Sequence, residues 1–254
     1  MSKYRAIVFD LDGTAILNAH DAAASQRLID AVTKYRGRTR LIAATGRTLF
    51  ETLPIAKALG LTDPCIIMGG AVTIDPVTET VLAHTTLPPA SVEAVLDHLK
   101  SWPNHVYVRG ENAAAGHIDK AIIGQDAGLK HNVDMVCIDQ ITDHEFPALK
   151  AELERHPKIL VTSAPSWNSG HFVIISHRDA TKEHAIAGVL QGLNIPPAAA
   201  IGVGDGDNDL HLFAAVGLKV AMGNATPTLK AAADIIAPGV EDDGLAYIIE
   251  QYAT

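Results

Sequence analysis

Cysteine is scarce in this chain. Its 254 residues include 2, Cys65 and Cys137, each inside an apolar run. Two thiols make no disulfide framework; they read as small buried hydrophobes of a reducing compartment. Long apolar runs are missing too. None approaches the roughly 18 residues that a membrane-crossing helix needs, so no transmembrane helix is expected. Lys3 and Arg5 put charge where a signal peptide would carry its apolar stretch. The expectation is a soluble cytoplasmic protein. A basic excess is also lacking. The formal net charge is -9, which argues against non-specific nucleic-acid binding. A small anionic substrate stays open, because a local cation can override the global sign.

Several familiar site patterns are absent. The chain has 12 histidines, but the closest pair, His171 and His177, is six apart (177 − 171), and no H-E-x-x-H occurs. There is no P-loop. Gly202-x-Gly204 is followed by Asp207 where the third glycine of a dinucleotide fingerprint belongs. Asp205, Asp207 and Asp209 begin like an EF-hand loop. Leu210 then replaces its glycine, and Val216 its glutamate. No internal repeat, low-complexity tract or long charge run is present.

What is present is apolar: 48% of residues are hydrophobic, ample for one large domain or two smaller ones. From about 4 to 70, and again from about 180 to 254, short apolar runs alternate with helical patterns. "AIVFD", "RLIAAT" and "CIIM" read as strands, with helices in "SQRLIDAVTKY" and "LFETLPIAKALG" between them. The later stretch gives a helix in "TKEHAIAGVLQGLNI", a strand in "AAIGVGD" and a short helix in "LHLFAAVG". A strand in "LKVAMG" follows, then a helix in "TPTLKAAA" with Pro227 at its first turn. Continuous apolar strands between helices predict a doubly wound α/β core with a mostly parallel sheet.

The middle differs. "GGAVTIDPVTETVLAHT" reads as a hairpin turning at Asp75-Pro76. Four strand candidates, "HVYVRG", "VDMVCI", "KILVTS" and "HFVIIS", then crowd around the helices "SVEAVLDHLKS" and "FPALKAELERH". This predicts an inserted, mostly antiparallel α+β domain over 84–176, with the core formed by 1–83 and 177–254.

The chemistry concentrates at strand ends. In "IVFDLDGT", Asp10 and Asp12 follow a buried-looking strand, and strand alternation points both the same way. Ligands of open parallel sheets bind at the carboxyl ends of strands. Two unit charges ~4 Å apart at an effective dielectric of ~20 repel by about 4 kcal/mol. Such a pair needs a cation, a shared proton or exposure to water. Asp12 capping a turn beside an exposed Asp10 would also satisfy the pattern. A second acidic group, "GVGDGDNDL", follows the strand "AAIGV". Carboxylates without histidine or thiolate make a hard oxygen site suited to Mg²⁺. Thr45 and Gly46 end the second strand. Lys182 starts a helix, where acidic residues are favoured. Taken singly, Thr45 could be an N-cap and Lys182 a solvated lysine. Six acidic or amide groups at other strand ends weaken both of these readings.

Together these residues resemble the haloacid dehalogenase-like phosphatase superfamily. "DLDGT" matches its first motif, Thr45 the second, Lys182 the third and "GDGDND" the fourth. "AMGNATPTLKAAADIIAPGVEDDGLAYII" is similar to the C-terminal segment of the subgroup with a type IIB cap, and the insert lies where that cap belongs. The resemblance implies that Asp10 is a nucleophile forming an aspartyl-phosphate, with Asp12 as acid–base partner. It implies Mg²⁺ held by the Asp10 carboxylate, the Asp12 backbone carbonyl and Asp205, with Asp209 completing or supporting the shell. Thr45, Gly46 and neighbouring N–H groups would hold phosphoryl oxygens, and Lys182 would neutralise charge. Asn208 matches the amide that orients this region, and Asp207 fills a variable position. Arg47, in "TGR", fits either a phosphate contact or an exposed arginine opening a helix. Arg109, Asn112 and His117, in the insert, are candidates for reaching a leaving group. Departures are Gly69-Gly70 in place of asparagine-glycine, Glu183 after the motif lysine, and Ile174 where an acidic residue is usual.

The implied function is Mg²⁺-dependent hydrolysis of a small phosphorylated metabolite, with sugar phosphates the leading class. No nucleic-acid or membrane partner is expected, and a monomer or weak homo-oligomer suffices. The alternatives are a phosphomutase, a receiver-like signalling module and a binding protein without catalysis.

Overall fold

The computed structural model describes residues 3–17, 23–104, 106–110, 133–166 and 169–253. They divide into two compact units. The first comprises Met1–Arg47, Glu51–His84 and Thr181–Thr254, and the second Thr48–Phe50 and Thr85–Ala180.

The first unit is built on five parallel strands: β1 (Ala6–Phe9), β2 (Arg40–Ala43), β10 (Ala200–Gly204), β11 (Leu218–Ala221) and β12 (Ile235–Ile236). Their order is β12-β11-β10-β1-β2. β1 and β10 are buried along their whole length. A strand covered on both faces must be apolar throughout, which is why "AIVF" and "AIGV" show no alternation. The chain winds from β1 to β2 in one direction and from β10 to β12 in the other. The sheet therefore reverses between β1 and β10, where an open α/β sheet has its crevice. Phe9 pairs with Ala43 on one side and Val203 on the other. That register brings Asp10, Thr45 and Asp205 off adjacent strand ends at nearly one level.

Helices flank this sheet. Ser25 caps α1 (Gln26–Tyr35) by accepting from the Leu28 N–H, and Leu28, Ala31 and Val32 form its buried face. α1 packs on α8 (Gly244–Tyr252), where Arg27 and Glu250 form a 2.7 Å ion pair. α2 (Leu49–Leu59) ends at Gly60, which adopts φ 69°. α5 (Lys182–Gly192), α6 (Leu210–Ala214) and α7 (Pro227–Ala232) complete the set. Pro227 opens α7 behind its Thr226 cap, as its position predicts.

One strand differs from the expectation. "CIIM" reads as a third strand of the parallel sheet. β3 (Cys65–Ile67) instead ladders antiparallel with β4 (Val72–Ile74), which pairs with β5 (Val81–His84). Among the described residues, β3 meets the parallel sheet through a single bridge, Ala44 to Ile66. The short 3₁₀ turn Met68–Gly70 returns the chain at once, so the hairpin supplies the ladder partner.

The second unit carries a four-stranded antiparallel sheet, β6 (Val106–Gly110), β7 (Val133–Ile141), β8 (Ile159–Pro165) and β9 (His171–His177), ordered β6-β7-β9-β8. α3 (Pro89–Leu99) and α4 (Phe146–Leu153) bury Val92, Val95, Leu99, Leu149 and Leu153 in one core with β7 and β9 residues such as Val136 and Ile175. This is the α+β pattern that the crowded strand candidates predict. Arg109 lies on β6, while Asn112 and His117 lie outside the described residues. Both cysteines are buried. No helix of the described residues is long and apolar enough to cross a membrane.

Candidate active site

Asp10 leaves β1 as a buried residue, its N–H bonded to Val203 O at 3.1 Å. Its Oδ1 accepts from Lys182 Nζ at 2.9 Å, and the same ammonium donates to Asp209 Oδ1 at 2.7 Å. Lys182 is 3% exposed and Asp209 0%. Neither charge could survive there without its partner, because burying an unpaired ion costs several kcal/mol.

Local structure explains how each group arrives. Thr181 caps α5, its Oγ1 accepting the His184 N–H, which sets Lys182 at the first helical position. Gly70 makes room for that cap. It holds φ 111°, and a Cβ there would overlap the Thr181 carbonyl. Asp209 ends a 3₁₀ turn (Asp207–Asp209), and its Oδ2 accepts the N–H groups of Asp205 and Gly206 at 3.0 and 3.1 Å. Asp209 thus spends both oxygens inside the protein. Asp205 lies behind β10, where its Oδ1 accepts from Thr14 Oγ1 at 3.1 Å. Gly13, at φ 70°, permits that approach, since a Cβ would collide with the Asp205 carboxylate.

Asp10, Asp205 and Asp209 each offer a carboxylate oxygen within 4.8 Å of the others. Three carboxylates and one ammonium sum to −3 + 1 = −2 when ionised, the charge a divalent cation would balance. Burial pushes the Asp10 carboxyl up to about 7; Lys182 opposes the rise and Asp209 adds to it. Burial, reinforced by Asp209, pushes Asp205 up to about 6. Burial works against the Lys182 ammonium, but Asp10 and Asp209 outweigh it and raise its pKa. The cluster fits a hard cation held by oxygen. Asp10 and Asp205 are the side chains suited to hold it, with Asp209 fixing the lysine and the loop.

Asp12 stands apart from this group. Arg47 takes both its oxygens, Nε to Oδ2 at 2.8 Å and Nη2 to Oδ1 at 2.6 Å. The Asp12 hydrogen bond is the main cause of a raised Arg47 pKa. Any side-chain role of Asp12 toward a cation would have to displace that fork.

Thr45 is buried, and its Oγ1 accepts the Arg47 N–H at 3.1 Å. Gly46 is exposed, and among the described residues nothing lies within 4 Å of where a Cβ would stand. Backbone is therefore open to a ligand at that point. Asn208 is exposed beside Gly206. Glu183 turns toward His211, 3.8 Å away, while Lys182 serves the aspartates. Asp207 accepts from Thr226 Oγ1 at 2.5 Å.

Two polar residues carry structure that motif reading leaves unassigned. Thr14 is inside "DLDGT" but has no role until Asp205 is placed against it. Asn224 donates to Gly13 O at 2.8 Å and accepts from Val240 N at 2.9 Å. It ties the first-motif loop to the C-terminal segment. In the sequence it is an amide three residues past the end of β11, inside the segment that resembles the C-terminal part of the subgroup.

The family model described as haloacid dehalogenase-like hydrolase matches residues 7–249. The chain belongs to this family. A phosphoglycolate phosphatase of Staphylothermus marinus is 25% identical over 248 residues, 97% of each chain. A 5-amino-6-(5-phospho-D-ribitylamino)uracil phosphatase of Bacillus subtilis is 25% identical over 268 residues, covering 97% of this chain and 96% of its own. Among solved structures, a Thermotoga maritima protein superposes with TM-score 0.78 at 24% identity, covering 99% and 98% of the two chains. A subclass IIB sugar phosphatase of this superfamily superposes with TM-score 0.78 at 20% identity over 98% of both. These likenesses agree with the α/β core and antiparallel second sheet. The chain is an enzyme of this hydrolase family, whose curated relatives here are named phosphatases.

Proposed function

We propose that this enzyme is a Mg²⁺-dependent phosphatase that hydrolyses a small phosphorylated metabolite through an aspartyl-phosphate on Asp10. One observation carries the reading: Lys182 bridges Asp10 and Asp209 beside Asp205 at the reversal point of the sheet.

Asp10 supplies the nucleophilic oxygen, which bonds to phosphorus as the leaving oxygen departs. Lys182 holds the Asp10 carboxylate in place and offsets the negative charge gathered around the phosphoryl group. Thr45, Gly46 and adjoining N–H groups receive the phosphoryl oxygens, and Asn208 orients the fourth-motif loop. Asp12 gives a proton to the leaving oxygen and later takes one from water. Mg²⁺, held by Asp10 and Asp205 with the Asp12 carbonyl, would supply electrostatic stabilisation of the phosphoryl charge. Residues 84–176 act as the specificity cap in this reading. The relatives' names span phosphoglycolate and a ribityl phosphate, which supports a small phosphorylated substrate, with sugar phosphates leading.

A panel of phosphorylated metabolites, assayed for inorganic phosphate with and without Mg²⁺, tests the reading alongside Asp10→Asn. Release should require both the metal and the Asp10 carboxylate. Activity that survives loss of either contradicts the mechanism. Transfer of the phosphoryl group to a second position of the substrate, without free phosphate, would make the enzyme a mutase.

A further inference from the structure

Arg47 has the charge expected of a phosphate ligand, yet its guanidinium is committed elsewhere. Nε and Nη2 form two parallel bonds to the two Asp12 oxygens, 2.8 and 2.6 Å long. The side chains are 18% and 29% exposed, so the pair is shielded without being sealed. The arginine backbone is anchored at both polar groups. Its N–H reaches Thr45 Oγ1 at 3.1 Å, and its carbonyl accepts from Met68 N at 2.8 Å. The fork therefore couples Asp12 to Arg47, 35 residues along the chain, in the loop that also carries Thr45.

A carboxylate has about four lone-pair sites, two per oxygen. Arg47 occupies one on each oxygen and fixes the carboxylate plane, leaving a second site on each for a proton. We infer that Arg47 is the positioning residue of the acid–base carboxylate, orienting Asp12 toward the leaving oxygen instead of gripping the phosphoryl group. The inference rests on the phosphatase reading above. In the first half-reaction the Asp10–phosphorus bond forms, the bond from phosphorus to the leaving oxygen breaks, and the Asp12 proton moves to that oxygen. In the second, a water oxygen bonds to phosphorus, the Asp10–phosphorus bond breaks, and the ionised Asp12 takes a proton from the water. Inorganic phosphate leaves, and both aspartates return to their starting states. Arg47 holds the same carboxylate plane in both halves.

Leaving-group chemistry separates the two roles of Arg47. p-Nitrophenolate departs without a proton, whereas the alkoxide of benzyl phosphate needs one. Because kcat/KM covers only the steps up to phosphoenzyme formation, it isolates the proton gift. For Arg47→Ala, kcat/KM on benzyl phosphate should fall about 100-fold or more, and on p-nitrophenyl phosphate by less than about tenfold. Arg47→Lys should show the same split, since an ammonium cannot form the fork. In an Asp12→Asn background, adding Arg47→Ala should cost nothing further on benzyl phosphate. Inhibition by inorganic phosphate should be unchanged. The two-ester comparisons are made on one preparation, so a loss of folded protein cancels in them. Equal losses on both substrates, recovery by lysine, or weakened phosphate inhibition would overturn the inference and leave the phosphatase reading standing. A wild-type enzyme that releases phosphate from neither ester nor any member of the metabolite panel overturns the phosphatase reading itself.

Discussion

Lys182 donates at 2.9 Å to Asp10, a residue 172 positions away in the chain, and the same ammonium donates at 2.7 Å to Asp209. The ends of β1 and the fourth-motif turn are thus held by one buried cation at the start of α5. In the phosphatase reading that cation also faces the reacting phosphoryl group.

Lys182→Met tests the structural half of this arrangement. It leaves two buried carboxylates without their ammonium, and breaking such a pair costs about 3–5 kcal/mol. The variant should unfold at lower temperature in metal-free buffer, and Mg²⁺ should recover part of the loss. An unchanged melting temperature would mean that the lysine does not bind the cluster together.

The pH dependence follows from upward shifts. Asp10 rises from 3.8 to about 7 and Asp205 from 3.8 to about 6, each chiefly through burial. The folded, metal-free protein therefore holds protons that the unfolded chain has released. Its stability should fall as pH rises from about 4 to 7, because the unfolded state binds fewer protons there. Metal binding runs oppositely, since a cation needs the ionised carboxylates. Calorimetric Mg²⁺ affinity should strengthen between about pH 5 and about pH 8, with proton release on binding. A pH-independent affinity would contradict the assigned ligands.

Gly13→Ala probes how Asp205 is seated. The substitution places a Cβ against the Asp205 carboxylate at φ 70°, where a non-glycine residue costs about 1–3 kcal/mol. Mg²⁺ affinity should drop sharply as Asp205 is pushed aside. Affinity equal to wild type would show that Asp205 does not hold the cation.

Asn224→Ala removes both bonds of the amide, to Gly13 O and from Val240 N. The expected cost is about 1 kcal/mol of stability, with severalfold weaker Mg²⁺ binding because the first-motif loop loosens. Asn224→Asp keeps an acceptor for Val240 but loses the donor to Gly13, so it should weaken binding similarly. Wild-type affinity in both variants would confine Asn224 to the C-terminal segment.

Much of the site is legible in the sequence for a specific reason. Apolar strands that alternate with helices predict a parallel sheet, and acidic residues directly after them are expected at its carboxyl edge, which is where Asp10 and Asp205 lie. Lys182 stands out because a helix start disfavours it. What escapes is the choice of partner. Arg47 lies two residues past Thr45 whether it faces phosphate or Asp12, and only the folded loop decides. Thr14 and Asn224 find partners 191 and 211 residues away, separations on which local pattern says nothing. β3 escapes likewise, because an apolar run of three residues does not encode the direction of its neighbour.

The central claim is covalent catalysis by Asp10. Enzyme mixed with p-nitrophenyl phosphate and Mg²⁺, quenched in acid within one turnover and digested, should yield the peptide bearing Asp10 heavier by one phosphoryl group. Fragmentation should place that group on Asp10. Phosphate released at the wild-type rate with no phosphorylated peptide, or with the label on another residue, would contradict the account.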